Sequence, residues 1–172
     1  MFRSRLMVVL ALAGLAWCSP AATAAPAPVG VAPPVVALWG WPLAGAPPVA
    51  RPFDPPPTPY AAGHRGVDLA GVAGQPVLAA GRGVVAFAGM VAGRPVVSVE
   101  HADGLRTTYE PVQSLVAAGQ PVARGSPLGL LVGGHAGCPA EACLHWGLRR
   151  GETYLDPLLL LRPPRVRLLP WG

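Results

Sequence analysis

Val97-Ser98-Val99-Glu100-His101-Ala102-Asp103-Gly104-Leu105-Arg106-Thr107-Thr108-Tyr109 sets a valine-rich run and a run ending in Thr-Thr-Tyr on either side of Ala-Asp-Gly. Valine, threonine and tyrosine fit a pleated surface and Asp-Gly supplies a tight turn, so this stretch predicts two strands joined as a hairpin. His101, just before the turn, is read as ordering the hairpin rather than as a metal ligand. From Pro76 onward the same punctuation recurs, in Pro76-Val77-Leu78-Ala79-Ala80-Gly81-Arg82-Gly83-Val84-Val85 and in Gly119-Gln120-Pro121-Val122-Ala123-Arg124-Gly125-Ser126-Pro127-Leu128-Gly129. Short valine runs alternating with Gly, Pro and Asp-Gly signals predict an all-β domain.

The ends of the 172-residue chain read differently. Residues 1–24 carry Arg3 and Arg5, an apolar run from Leu6 to Trp17 and the small residues Ala22-Thr23-Ala24, the pattern of a cleaved signal peptide. The apolar run is shorter than the roughly 20 residues a membrane helix needs, which makes a retained anchor the lesser alternative. Residues 25–38, rich in proline and alanine and without charge, predict a semi-rigid spacer. Trp39 and Trp41 open a domain that runs over residues 39–161, with an irregular proline-rich entry as far as Pro59. The leucines 158–161 after Asp156-Pro157 are expected to cap its core, and residues 162–172 form a basic tail.

An exported chain meets an oxidising compartment. Cys18 leaves with the leader, and Cys138 and Cys143 remain close together in Gly137-Cys138-Pro139-Ala140-Glu141-Ala142-Cys143, which predicts a disulfide. The rival is that Cys143, two places before His145, is a thiolate ligand to a metal.

Only four histidines are available to build a metal site. His64 and Asp68 in Gly63-His64-Arg65-Gly66-Val67-Asp68 are i and i+4, and an extended backbone presents both on one side. With His145 in Cys143-Leu144-His145-Trp146-Gly147 they make three ligands of the type zinc accepts, with a fourth position open for water. The alternative is a solvated loop pair beside a core histidine.

Taken together and in this order, these segments make the stretch from Trp41 to about Leu161 resemble the lysostaphin/LytM-type zinc metalloendopeptidases, peptidase family M23, which cut peptide cross-links in bacterial cell walls. The resemblance implies an antiparallel β-sheet sandwich with a zinc groove on one face, and His64, Asp68 and His145 as the zinc ligands. It also implies peptidoglycan peptides as the partner and a secreted or cell-envelope location.

Two departures bear on activity. The family carries a histidine two places after a tyrosine like Tyr109, where this chain has Pro111, and another two places before the last ligand, where it has Cys143. Losing one positioned proton carrier or oxyanion donor typically costs about a hundred- to ten-thousand-fold in rate. Tyr109 and His135 are the candidate catalytic substitutes: strand parity puts Tyr109 on the side of Pro111, and His135 sits in the permissive loop Gly133-Gly134-His135-Ala136-Gly137.

Thirteen arginines, no lysine and eight acids give a net charge of +5, concentrated in the tail, and a mildly basic exported protein is not expected to bind nucleic acid. No phosphate-binding glycine loop, Gly-x-Ser-x-Gly elbow or His-Glu-x-x-His helix is present. Two readings follow. One is a degenerate zinc-binding member that engages wall peptides or regulates another cell-wall hydrolase, and the other is an active zinc endopeptidase.

Overall fold

The computed structural model describes residues 38–58, 61–134 and 137–162. The expected signal peptide, nearly all of the spacer, His135 and the tail beyond Arg162 lie outside the described residues.

Strands dominate, as the alternation and turn signals predict. In chain order they are β1 (Val49–Arg51), β2 (Gly66–Gly71), β3 (Pro76–Leu78), β4 (Gly83–Val91), β5 (Arg94–Glu100), β6 (Leu105–Glu110), β7 (Val112–Ser114), β8 (Pro121–Val122), β9 (Pro127–Leu131), β10 (Ala142–Arg150) and β11 (Thr153–Leu155). A large sheet has the order β1-β2-β10-β6-β5-β4-β8, with β11 also paired to β10, and a small sheet has the order β3-β9-β7. Every pairing is antiparallel.

The hairpin predicted from Val97 to Tyr109 is β5–β6, with Val99 opposite Thr107 and Glu100 opposite Arg106. Asp103 (φ 63°) and Gly104 (φ 68°) turn the chain in the left-handed region, which Gly enters freely and Asp tolerates. Prolines explain the short first strand. Pro48 and Pro52 flank β1 and have no N–H to give a ladder, and β1 is an edge strand of three residues.

One core joins both sheets. Val67, Leu69, Val85, Val97, Val99, Tyr109, Leu144 and Trp146 from the large sheet meet Val77, Val112, Leu128 and Leu131 from the small one. The residues after Asp156 cap this core as expected: Pro157–Leu161 form a 3-10 turn, the Asp156 carboxylate accepts from Leu158 N at 3.0 Å, and Leu158, Leu160 and Leu161 lie against the cluster. A polar thread crosses the interior. The His101 ring donates from Nδ1 to the Arg82 carbonyl at 2.8 Å, its Nε2 meets the Thr107 hydroxyl at 2.7 Å, that hydroxyl is 2.9 Å from the Tyr109 hydroxyl, and Ala80 N donates to Tyr109 at 3.0 Å. Burial lowers the His101 pKa and keeps the ring neutral, as a carbonyl partner on one nitrogen and a hydroxyl on the other allow. His101 therefore ties the hairpin to the strand before it, the structural role its place in the sequence suggested.

Candidate metal centre

The site is a product of register. β2 and β10 are neighbours, and Asp68 stands opposite His145; β6 flanks β10 on the other side, and Glu110 stands opposite the same His145. Residues directly opposite on antiparallel strands leave the same face, so Asp68, His145 and Glu110 form a row across three strands. One position along, Val67, Trp146 and Tyr109 make the corresponding row on the core face, all of them fully buried. His64 joins from just ahead of β2, where its backbone and that of Asp54 exchange hydrogen bonds of 2.7 and 3.0 Å.

Three ligand atoms converge. His64 Nε2 is 2.9 Å from Asp68 Oδ1 and 3.1 Å from His145 Nδ1, and His145 Nδ1 is 2.9 Å from the same Asp68 oxygen. Ligands about 2.0–2.1 Å from a tetrahedral ion are about 3.3 Å apart, so the triangle needs to open by only a few tenths of an ångström to hold one. Protonation points the same way. A carbonyl only accepts, so the 2.7 Å contact from His64 Nδ1 to the Pro52 carbonyl places the proton on Nδ1 and leaves a lone pair on Nε2 in the neutral ring. His64 and Asp68 are each 5% exposed. A buried carboxylate between two imidazoles is a donor set suited to a dication.

Gly66 makes room for one of the ligands. A Cβ there would lie 2.7 Å from His145 Nε2 and 2.5 Å from the Trp146 carbonyl oxygen, so any side chain would displace the imidazole.

A groove of about 590 Å³ opens beside the triad, and Arg51, Arg65, Arg94, Glu110 and Pro111 are among the residues lining it with His64 and His145. Arg94 Nε donates to Glu110 Oε1 at 2.7 Å. A larger hollow of about 970 Å³, bordered by Trp39, Glu100 and His101, contains none of the three converging residues.

The structure brings His64, Asp68 and His145 together and corrects the reading of Tyr109. Strand parity was expected to turn Tyr109 toward the metal; instead it lies in the core, wholly buried, bonded to Ala80 and Thr107. Burial pushes its pKa up to about 12, against the lowering by those hydrogen bonds. Parity fails as a guide because β6 ends at Glu110, before Pro111, so two consecutive residues both border the groove. Glu110 was missed. Its signal was present: Leu105, Thr107 and Tyr109 alternate with Arg106, Thr108 and Glu110, which puts the first set in the core and leaves the second on the other face. His135 lies outside the described residues. Cys138 and Cys143 form a disulfide, so Cys143 offers no thiolate to a metal.

The model of peptidase family M23 matches residues 62–157, a span that begins just before His64 and ends just after Asp156. The chain belongs to peptidase family M23. Uncharacterized protein Rv2891 of Mycobacterium tuberculosis is 54% identical to this M23 chain over 135 residues, covering 76% of this chain and 54% of the relative. Uncharacterized protein Mb2915 of Mycobacterium bovis matches with the same figures, so the M23 chain spans about half the length of the curated relatives it matches.

Among solved structures, Csd3 of Helicobacter pylori is similar at 25% identity and a TM-score of 0.61, over 77% of this chain and 37% of that one. A zinc-containing peptidase of Vibrio cholerae is similar at 25% identity and a TM-score of 0.58, over 72% of this chain and 39% of that one. The catalytic domain of the antimicrobial peptidase lysostaphin from Staphylococcus simulans shares the fold, at 23% identity and a TM-score of 0.57, over 67% of this chain and 93% of that one. The all-β, antiparallel reading stands. Among the described residues no helix is long and apolar enough to cross a membrane.

Proposed function

We propose that this M23 chain is an exported protein that holds zinc at His64, Asp68 and His145 and engages peptidoglycan peptides in the adjoining groove, with hydrolysis weak or lost. Through such binding it would recognise wall peptides directly or regulate another cell-wall hydrolase. The observation that carries this is the chemistry beside the triad. Pro111 is buried at the groove and has no ionisable side chain, and Cys143 is buried in a disulfide, so neither position can move a proton.

Zinc on three protein ligands polarises a carbonyl and lowers the pKa of water at its open position to about 7. The chain's own residues then have separate tasks. The Pro52 carbonyl orients His64, register aligns Asp68 with His145, and the groove receives the peptide. Among the described residues, neither Pro111 nor the bridged Cys143 can pass a proton to the leaving amine. Tyr109 cannot serve, since it is enclosed in the core and its pKa stands at about 12.

A second reading, an active endopeptidase, draws on Glu110, which shares a face with His145 and borders the groove. Arg94 holds one oxygen of its carboxylate, with Nε 2.7 Å from Glu110 Oε1.

The deciding assay measures new amino termini released from peptidoglycan by the zinc-loaded protein, with and without chelator, beside a Pro111→His, Cys143→His variant. The expected result is turnover by the parent far below the roughly 1 per second of an ordinary enzyme. Chelator-sensitive turnover at that rate, abolished by Glu110→Gln, would establish the active reading in its place.

A further inference from the structure

The groove beside the triad has a one-sided charge. Among its described lining residues are three arginines, Arg51, Arg65 and Arg94, and a single carboxylate, Glu110. They reach it from different parts of the fold: Arg51 from the edge strand β1, Arg65 from the residue after His64, and Arg94 from the start of β5. Two of them are held in place. Arg65 donates to the Ala61 carbonyl at 3.2 Å and its guanidinium lies over the Tyr154 ring, 5.5 Å from the centroid. Arg94 borders the groove, gives its Nε to Glu110 and keeps a side chain that is 61% exposed.

Arg51 is exposed and is the Cα partner of Asp68 across β1 and β2, one strand from the metal ligand. Together these arginines put positive charge on a groove of about 590 Å³, within the about 300–1,000 Å³ range of sites that enclose small ligands. Guanidinium presents a planar fork that matches a carboxylate in bidentate geometry.

Resting on the proposal that wall peptides occupy this groove, we infer that the arginine wall formed by Arg51, Arg65 and Arg94 selects peptides bearing a free carboxylate close to the amide lying at the triad, and discriminates against their amidated counterparts. The discrimination has a physical basis. Replacing the carboxylate by a neutral amide removes the charge-assisted part of the bond and leaves guanidinium groups facing a poorer acceptor.

The test is calorimetric titration of the zinc-loaded protein with two synthetic wall stem peptides, Ala–γ-D-Glu–diaminopimelate–Ala with its carboxylates free and the same peptide with the glutamate α-carboxylate amidated. The expected result is about ten- to a hundredfold tighter binding of the free acid, a preference that shrinks as salt is raised. Arg51→Gln should reduce that preference, and its thermal melt should match the parent because the side chain is exposed. Equal affinity for the two peptides would overturn the carboxylate preference and leave the wall-peptide reading intact. Binding of neither peptide would remove both. Saturable binding of glycerol phosphate, with no preference between the peptides, would assign the arginine wall to an anionic polymer and overturn the inference.

Discussion

Asp68 and His145 are register partners on β2 and β10, and Asp68 Oδ1 lies 2.9 Å from His145 Nδ1. The pairing of two strands fixes this contact, and His64, bridged by its backbone to Asp54, closes the triangle from just ahead of β2. The parent is expected to carry about one zinc per chain, and Asp68→Ala and His145→Ala are each expected to lose it. Metal analysis after purification without chelator checks this; retention of parental zinc by both variants would place the metal elsewhere.

Gly66 is the sterically sensitive neighbour of the site. Gly66→Ala puts a methyl group 2.7 Å from His145 Nε2 and 2.5 Å from the Trp146 carbonyl, so the ring or the strand must move. A fall of about ten- to a hundredfold in zinc affinity is expected, of the size seen when a ligand loses its orienting surroundings. Overpacking should also cost about 1–3 kcal/mol of stability. Competition titration against a chromophoric chelator reads the first and urea unfolding the second; unchanged zinc affinity would show that the imidazole is not constrained by this contact.

The Cys138–Cys143 bridge ties the segment before β10 to the second residue of that strand and closes a small loop. In the chain-entropy model such a loop contributes only about 2 kcal/mol. Cys138→Ser, Cys143→Ser should therefore melt a few degrees lower and still bind zinc. Alkylation with and without reductant, read by mass spectrometry, checks the bridge itself, and loss of metal from the double variant would show that the sulfur region shapes the site more than its small loop suggests.

Tyr109 predicts an alkaline limit. Its pKa is raised to about 12 in the fold, above the ordinary value of 10.0. The unfolded chain therefore releases this proton first as pH rises, and stability present below pH 10 is lost between about pH 10 and 12, by an amount on the order of 3 kcal/mol. Tyr109→Phe should remove that part of the alkaline loss and cost about 1–3 kcal/mol near neutral pH, because Ala80 N and Thr107 lose a buried partner. Zinc content should be unchanged. Denaturant titrations at a series of pH values decide it, and an unaltered alkaline slope in the Phe variant would exclude Tyr109 as its source.

Much of this molecule was legible before any coordinates. Strand-forming residues punctuated by Gly, Pro and Asp-Gly turns specify antiparallel hairpins locally, because each strand's alternation and each turn's backbone geometry are properties of neighbouring residues. For the same reason the His101 turn and the leucine cap after Asp156-Pro157 could be read directly. His64 and Asp68 are four residues apart, and an extended backbone brings them to one side; His145 could be added from its chemistry and its order in the chain.

The direction in which Tyr109 and Glu110 point was decided only in three dimensions. Counting alternate positions back from Pro111 turned Tyr109 toward the metal, but β6 ends at Glu110, and its alignment with β10 sends Tyr109 into the core beside Trp146 and Glu110 toward His145. The arginine wall was equally hidden, since Arg51, Arg65 and Arg94 come from separate segments that share a groove only once β1, β2 and β5 take their places in one sheet. Alternation along one strand says which residues share a face, whereas which face becomes core depends on pairing and packing with distant strands, and those are settled by burial of the whole sheet.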